Sequence, residues 1–391
     1  MRRLTLITLL LLSLIILFSQ SIWALGSEME KAILDARWPK IYKMLKADSA
    51  SVADPISRLL MGHACLATQK NYGATSMFKS VTDPDEIVIW AQFTESFYKQ
   101  HPENAVAVYL SADANLRLGK IEDALAGFDH SISRNDLFLL PYYQKAFIYN
   151  FMLKDYQKAE TEFRNVLRIN PRFARAYLEL AGIYTDRDDH TKSIELLSKA
   201  IDSDKEYSFA FYNRANAYMH LKDYDKALSD YDQAIMLRPI WPEAFYNRGN
   251  LFLFGKDNLL NAISDYDKAI RMNPEYSDAY LNRGIARDRQ GMSPQAISDF
   301  NRVLDLSPDK AEAYSNRGNA HLNMDLIDKA LDDYNKALEL NPQLAEAFEN
   351  RGYLYMVKLN DPEKACADWK KACQLGRCNN YNIARDGGTC K

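Results

Sequence analysis

Tyr212-Asn213-Arg214-Ala215-Asn216, Tyr246-Asn247-Arg248-Gly249-Asn250, Leu281-Asn282-Arg283-Gly284-Ile285 and Ser315-Asn316-Arg317-Gly318-Asn319 recur at spacings of 34, 35 and 34 residues. Each leads into an Ala-Leu/Ile-Ser/Asp-Asp-aromatic run, from Ala227, Ala262, Ala296 and Ala330, and then into a proline at 239, 274, 308 or 342. A period this regular means stacked units, because a single unit of this length cannot bury its own apolar face. Counting the first residue of a unit as position 1, small residues hold position 8 (Ala215, Gly249, Gly284, Gly318) and position 20 (Ala227, Ala262, Ala296, Ala330). Aromatic residues hold position 24 (Tyr231, Tyr266, Phe300, Tyr334). Small pairs let two helices approach, and the ring fills the space beside them. The closing proline lacks the N–H that a continuing helix needs.

The motif resembles the tetratricopeptide repeat, a helix-turn-helix unit. The resemblance implies an all-α, right-handed superhelical solenoid whose inner helices line a concave groove that holds a partner protein. Eight units begin near residues 105, 139, 174, 208, 242, 277, 311 and 345, with a one-residue insertion in three of them, and occupy 105–376. The unit at 174 has Leu197 in place of the aromatic and Lys205 in place of the proline, which predicts a softer joint. Residues 27–104 read as a helical cap containing one degenerate repeat at 55–82, where Gly62, Ala74 and Phe78 take positions 8, 20 and 24. An amphipathic segment before it predicts one helix broken or bent near Pro39, and Asp83-Pro84 predicts a helix to about Lys99. Residues 377–391 form a cysteine-containing tail.

Residues 1–26 carry Arg2 and Arg3, an uncharged run and small residues at Ala24 and Gly26, the layout of a signal peptide. The uncharged stretch is also long enough for an N-terminal membrane anchor. Either reading places the repeats outside the cytoplasm, in the periplasm or secreted. A net charge of −3 offers no basic stripe for nucleic acid.

Position 7 is internally consistent. Arg214, Arg248, Arg283, Arg317 and Arg351 stand there, and the same units carry Asp230, Asp265, Asp299, Asp333 and Asp368 at position 23. Units with Leu180 or Ser111 at position 7 have Leu196 or Gly127 at position 23. Charge occurs at both places or neither, which predicts a bidentate ion pair between the two helices of a unit.

Asn213, Asn247, Asn282, Asn316 and Asn350 hold position 6, and Asn216, Asn250 and Asn319 hold position 9, sharing one helix face. The set is similar to the asparagine ladder of the O-linked N-acetylglucosamine transferase repeats, which implies backbone recognition of an extended peptide, with Tyr212 and Tyr246 as aromatic anchors. The other reading of the asparagines is that they bond neighbouring helices to one another. The carboxylate clamp of chaperone-binding relatives pairs such asparagines with Lys and Arg, and that basic half is absent. Glu243, Asp278, Glu312 and Glu346 at position 2 suit a neutral or basic segment instead. A glycan or small-ligand envelope protein using the same groove is the competing function.

Cys366, Cys373, Cys378 and Cys390 close the chain. The last unit resembles the closing repeat of exported bacterial members of the family, and a tail carrying Cys378 and Cys390 that folds back over the exposed end of the stack would cap it. In an oxidising compartment the four would form two disulfides, with the connectivity left open. Their spacing is not a standard zinc pattern. No phosphate-binding loop, metalloprotease helix or nucleophile elbow occurs, so neither catalytic residues nor a cofactor or metal is expected.

Overall fold

The computed structural model describes residues 26–47, 54–69 and 76–390. The signal peptide or anchor expected over 1–26 lies outside the described residues except for Gly26, as does Ala74 of the degenerate repeat. Every regular element among the described residues is a helix, and none is long and apolar enough to cross a membrane.

From Ala105 the helices alternate as A and B. The A–B pairs are Ala105–Arg117 with Ile121–Arg134, Leu139–Phe147 with Tyr156–Ile169, Ala174–Asp186 with His190–Ser203, and Ser208–His220 with Tyr224–Leu237. Pro242–Asn250 with Leu259–Met272, Ser277–Arg289 with Ser293–Leu306, Ala311–Asn323 with Ile327–Leu340, and Ala345–Val357 with Pro362–Gln374 complete the series. The chain forms two compact units, residues 1–210 and 211–391.

Local chemistry sets the ends of these helices. Asp155, Asp189, Asp223 and Asp361 each accept a backbone N–H three residues on, supplying the partner that the first turn of helix B lacks. At the other end, the residue before proline is forced into extended backbone, as at Asn273 (φ −134°, ψ 92°), and helix B stops at Met272.

The extra residue in three units is absorbed at one place. Leu153 N–H bonds Ile148 O, Lys256 N–H bonds Leu251 O and Leu359 N–H bonds Leu354 O, each a five-residue step at position 10. Widening the last turn of helix A in this way lets helix B start in its usual register despite the added residue.

Helix A and helix B touch where position 8 meets position 24. A Cβ on Gly284 would lie 2.5 Å from Phe300 Cε1, and one on Gly352 would lie 2.6 Å from Trp369 Nε1. Adding that carbon would force the ring off its seat, at a cost of roughly 1–3 kcal/mol.

The amino-terminal cap is broken near Pro39 as expected, but the proline is not what breaks it. Helix Gly26–Leu34 ends before a left-handed Ala36 (φ 51°), and Pro39 is the second residue of the next helix, Trp38–Ala47. A proline in the first turn removes an N–H that has no helical acceptor anyway, so it begins this helix rather than kinking it. Helix Pro84–Gln100 buries Trp90, Phe93 and Phe97 and packs on helix A of the first unit.

Candidate functional site

The predicted ion pairs all form. Arg214 reaches Asp230 at 2.7 and 2.8 Å, Arg248 reaches Asp265 at 2.6 and 2.8 Å, and Arg283 reaches Asp299 at 3.0 and 2.6 Å. Arg317 meets Asp333 at 3.0 and 2.6 Å, and Arg351 meets Asp368 at 2.8 Å twice. All five aspartates are buried, so the paired geometry is what makes their charge tolerable. A further partner was missed from sequence. The remaining guanidinium nitrogen of Arg248, Arg283, Arg317 and Arg351 bonds Asp232, Asp267, Asn301 and Asn335 on helix B of the preceding unit. Lys145 does the same with Glu162 and Asp129. Acceptors at that place in successive units were the available signal. With its donors committed on both sides, the arginine row stiffens the stack and offers little to a ligand.

The asparagine face is not uniform. Asn247 Nδ2 donates to Tyr212 Oη at 2.8 Å and to Asn216 Oδ1 at 3.1 Å, and Tyr231 Oη donates to the same Asn216 oxygen at 2.5 Å. One unit on, Asn282 Nδ2 donates to Tyr246 Oη at 3.2 Å and Asn250 Oδ1 at 2.9 Å, with Tyr266 Oη on Asn250 at 2.7 Å. Burial pushes the Tyr231 and Tyr266 hydroxyls up, which keeps them protonated as donors. A closed rung therefore needs Tyr at position 5, Asn at position 9 and an amide at position 6 of the next unit. Residues 105–144 contain the same arrangement in charged form: Gln144 Nε2 lies 3.4 Å from Tyr109 Oη and 3.3 Å from Asp113 Oδ1.

Beyond Asn282 the rung stays open. The unit before Asn316 has Leu281 and Ile285 at positions 5 and 9, and neither can accept. The unit before Asn350 has Asn319, whose oxygen takes Tyr334 Oη at 2.7 Å, but its position 5 is Ser315, with a buried hydroxyl that meets no partner. The half-buried amides of Asn316 and Asn350 make no hydrogen bond among the described residues. Tyr212 and Tyr246, expected as anchors, are half-buried, bonded to the asparagines and packed on Trp241 and Tyr276 at centroid distances of 4.5 and 4.9 Å. Asn213 is half-buried at the same helix position. Beside the open rungs Glu312 and Glu346 are exposed, Glu346 with Arg377 Nη1 at 3.8 Å, while Glu349 is held by Arg377 at 2.6 Å and Asn380 at 3.2 Å.

At the carboxyl end, helix Asn379–Asp386 folds over the last helix B, and Ala384 and Cys390 join Ala365 and Trp369 in one buried cluster. The sulfurs of Cys366 and Cys390 lie at bonding distance, as do those of Cys373 and Cys378, and Cys65 is buried. Among the described residues, no group of three His, Cys, Asp or Glu side chains is placed to hold a metal ion.

Models of the tetratricopeptide repeat match residues 153–210, 208–239, 242–276, 265–298 and 311–344. The chain is a tetratricopeptide-repeat protein. None of the matching models is a catalytic family, and the chain is a scaffold for protein–protein contacts. No curated protein matches the sequence. Among solved structures, a tetratricopeptide-repeat protein from Parabacteroides merdae is 24% identical, covering 63% of this chain and 96% of its own, with a TM-score of 0.49. PilW, a type IV pilus biogenesis factor, is 21% identical over 54% of this chain and 97% of its own, with a TM-score of 0.49. YrrB, described as a repeat protein with an unusual peptide-binding site, is 22% identical over 48% and 97%, with a TM-score of 0.44.

Proposed function

We propose that this scaffold works outside the cytoplasm, in envelope assembly, and holds an extended, neutral or basic segment of a partner protein against the asparagine face of residues 277–350. The observation that carries this reading is the pair of open rungs. A side-chain amide can donate to a peptide carbonyl and accept from a peptide N–H at once, so Asn316 and Asn350 can hold a backbone without selecting its side chains. Asn247 and Asn282 have already spent their donors within the protein. Exposed Glu312 and Glu346 beside the open amides favour a segment with little negative charge. Two cysteine pairs at the end of the stack suit an oxidising compartment, as does the leader-like 1–26.

The test compares two double variants of the chain beginning at Ser27 in pulldowns from the native envelope, with folding checked by circular dichroism. Asn316→Ala with Asn350→Ala should lose the partner, whereas Asn247→Ala with Asn282→Ala should keep it at matched folded fraction. Equal recovery by both would remove the asparagines from the binding site. Capture of a glycan instead of a protein would select the competing ligand class. Intact mass of the protein from its native source checks export: a mass lacking residues 1–26 is expected, and a full-length cytosolic form contradicts it.

A further inference from the structure

The carboxyl-terminal cap has little besides its cysteines to hold it. Helix Asn379–Asp386 is eight residues long, and Ala384 is its one buried residue. A helix of that length is not stable by itself, and burying one methyl group adds little. Helix Ala311–Asn323, which covers the unit before it, has six buried residues by contrast. The polar contacts of the cap with the last helix A go to one acidic pair. Arg377 Nε donates to Glu349 at 2.6 Å, Arg377 Nη1 stands 3.8 Å from Glu346, and Asn380 Nδ2 donates to Glu349 at 3.2 Å. Arg377 is half-exposed, and water screens such a pair until it holds only loosely.

The four cysteines stand around that helix. Helix Pro362–Gln374 ends before a left-handed Gly376 (φ 96°), with the Gly376 N–H on Cys373 O and the Arg377 N–H on Ala372 O, and the chain turns back. Cys378 then opens the cap helix, its carbonyl accepting the Asn382 N–H, and its sulfur lies against that of Cys373. Cys390 follows the cap helix, and its sulfur lies against that of Cys366. The cap is thus clamped to one helix at its start and again past its end. The two clamps differ in access: Cys390 is buried, whereas Cys373 and Cys378 are half-buried. Under the cap lie Ala365 and Trp369 with Tyr355 and Met356, the face that every earlier unit covers with the next helix A.

We infer that Cys366–Cys390 and Cys373–Cys378 are disulfides and that the cap is a cover releasable by thiol exchange, hinged at the first bond and opened at the second. A protein dithiol is the reductant. One of its thiolates attacks a sulfur of the Cys373–Cys378 bond, and the other sulfur of that bond leaves as a thiolate. The second thiol of the reductant then closes on the mixed disulfide and expels the remaining cysteine, so two electrons and two protons pass from the dithiol to the pair. Access sets the order, because exchange needs a sulfur that the attacking thiolate can reach. Cys366–Cys390 keeps the tail attached, so the cover can close again. Opening frees Glu349, next in sequence to the open amide of Asn350, and uncovers Trp369. The release stands whether or not Asn350 holds a partner.

Tryptic cuts after Lys371, Arg377 and Arg385 put the four cysteines on four different peptides, so a map without reduction reads the pairing directly. Protein from its native source should give the 366–390 and 373–378 links; another pairing, or four thiols, would overturn the inference. Limited reduction of the full chain with dithiothreitol, followed by alkylation, should label Cys373 and Cys378 first, and earlier labelling of Cys366 and Cys390 would overturn the hinge. Hydrogen exchange before and after that reduction reads the cover itself. Amides of 379–386 should exchange at least about tenfold faster once the bond is opened, while helix Ala345–Val357 keeps its protection. Cys373→Ser with Cys378→Ser should reproduce the change without reductant. Glu349→Gln should alter cap exchange by no more than about twofold, since the exposed pair holds little. Unchanged cap exchange after reduction would mean that packing alone holds the cap. Protection lost throughout 345–374 would make the disulfides staples of the last unit instead of a cover, and either result would sink the proposal.

Discussion

Closed and open rungs of one helix face teach different things about the same residue type. Asn282 and Asn316 stand at the same position of adjacent units, each preceding an Arg bound bidentately to a buried aspartate. Asn282 donates to Tyr246 and Asn250 of the unit before it, and is part of the stack's own bonding. Asn316 is preceded by a unit with Leu281 and Ile285 at those two positions, and its side-chain amide makes no hydrogen bond among the described residues. The difference lies in the preceding unit, not in the asparagine or its immediate neighbours. An asparagine ladder read as one object is thus two: an internal seam from Tyr212 to Asn282 and an available surface at Asn316 and Asn350.

The largest expected effect belongs to the charged closed rung. Asp113→Asn keeps the shape but removes the buried charge that Arg117 faces, and should cost about 3–5 kcal/mol in denaturant unfolding. This effect should depend on pH with a definite sign. The folded carboxyl of Asp113 lies below its unfolded value, so its stabilisation is present above about pH 4 and is lost as pH falls from there through the folded value. The gap in stability between parent and Asp113→Asn should therefore narrow below that pH. A gap that stays constant down to pH 2 would mean the charge is not what the rung depends on.

The neutral closed rung comes next. Asn282→Ala strips the donor from Tyr246 Oη and Asn250 Oδ1 and should cost about 1–2 kcal/mol. Hydrogen exchange should localise the loss to helices Pro242–Asn250 and Ser277–Arg289, since in a repeat stack each unit leans on its neighbours. A loss spread evenly over the chain would contradict the seam.

Much of this was legible beforehand. The 34-residue period identified the repeat, and the joint appearance of charge at positions 7 and 23 found the Arg–Asp pairs, because both signals repeat within one unit. What escaped was chemistry that crosses units. The third arginine contact, such as Arg248 to Asp232, joins residues in different repeats. The rungs need two residues of one unit to be read together with one of the next, and the row of asparagines looks continuous until Leu281, Ile285 and Ser315 are counted as missing partners. The amino-terminal cap was the least readable part: Pro39 looks like a helix breaker by composition and is a helix starter by place.

The smallest effect separates the two kinds of rung most sharply. Asn316→Ala removes no hydrogen bond made by the described residues and should change stability by no more than about 0.5 kcal/mol, the range for a surface substitution away from any structural feature. A near-zero result carries weight only beside the loss expected for Asn282→Ala, measured in the same buffer by the same denaturant curve. If both variants lose 1–2 kcal/mol, Asn316 has an intramolecular role and the open rung is not available to a partner. If Asn316→Ala is neutral for folding yet lowers partner recovery, the amide is kept for a ligand. Ser315→Tyr then closes the argument from the other side: it supplies the hydroxyl that Tyr212 and Tyr246 supply in closed rungs, and should capture the Asn350 amide. Partner binding should fall in that variant without a loss of stability, because a rung closed within the protein has no amide left to give.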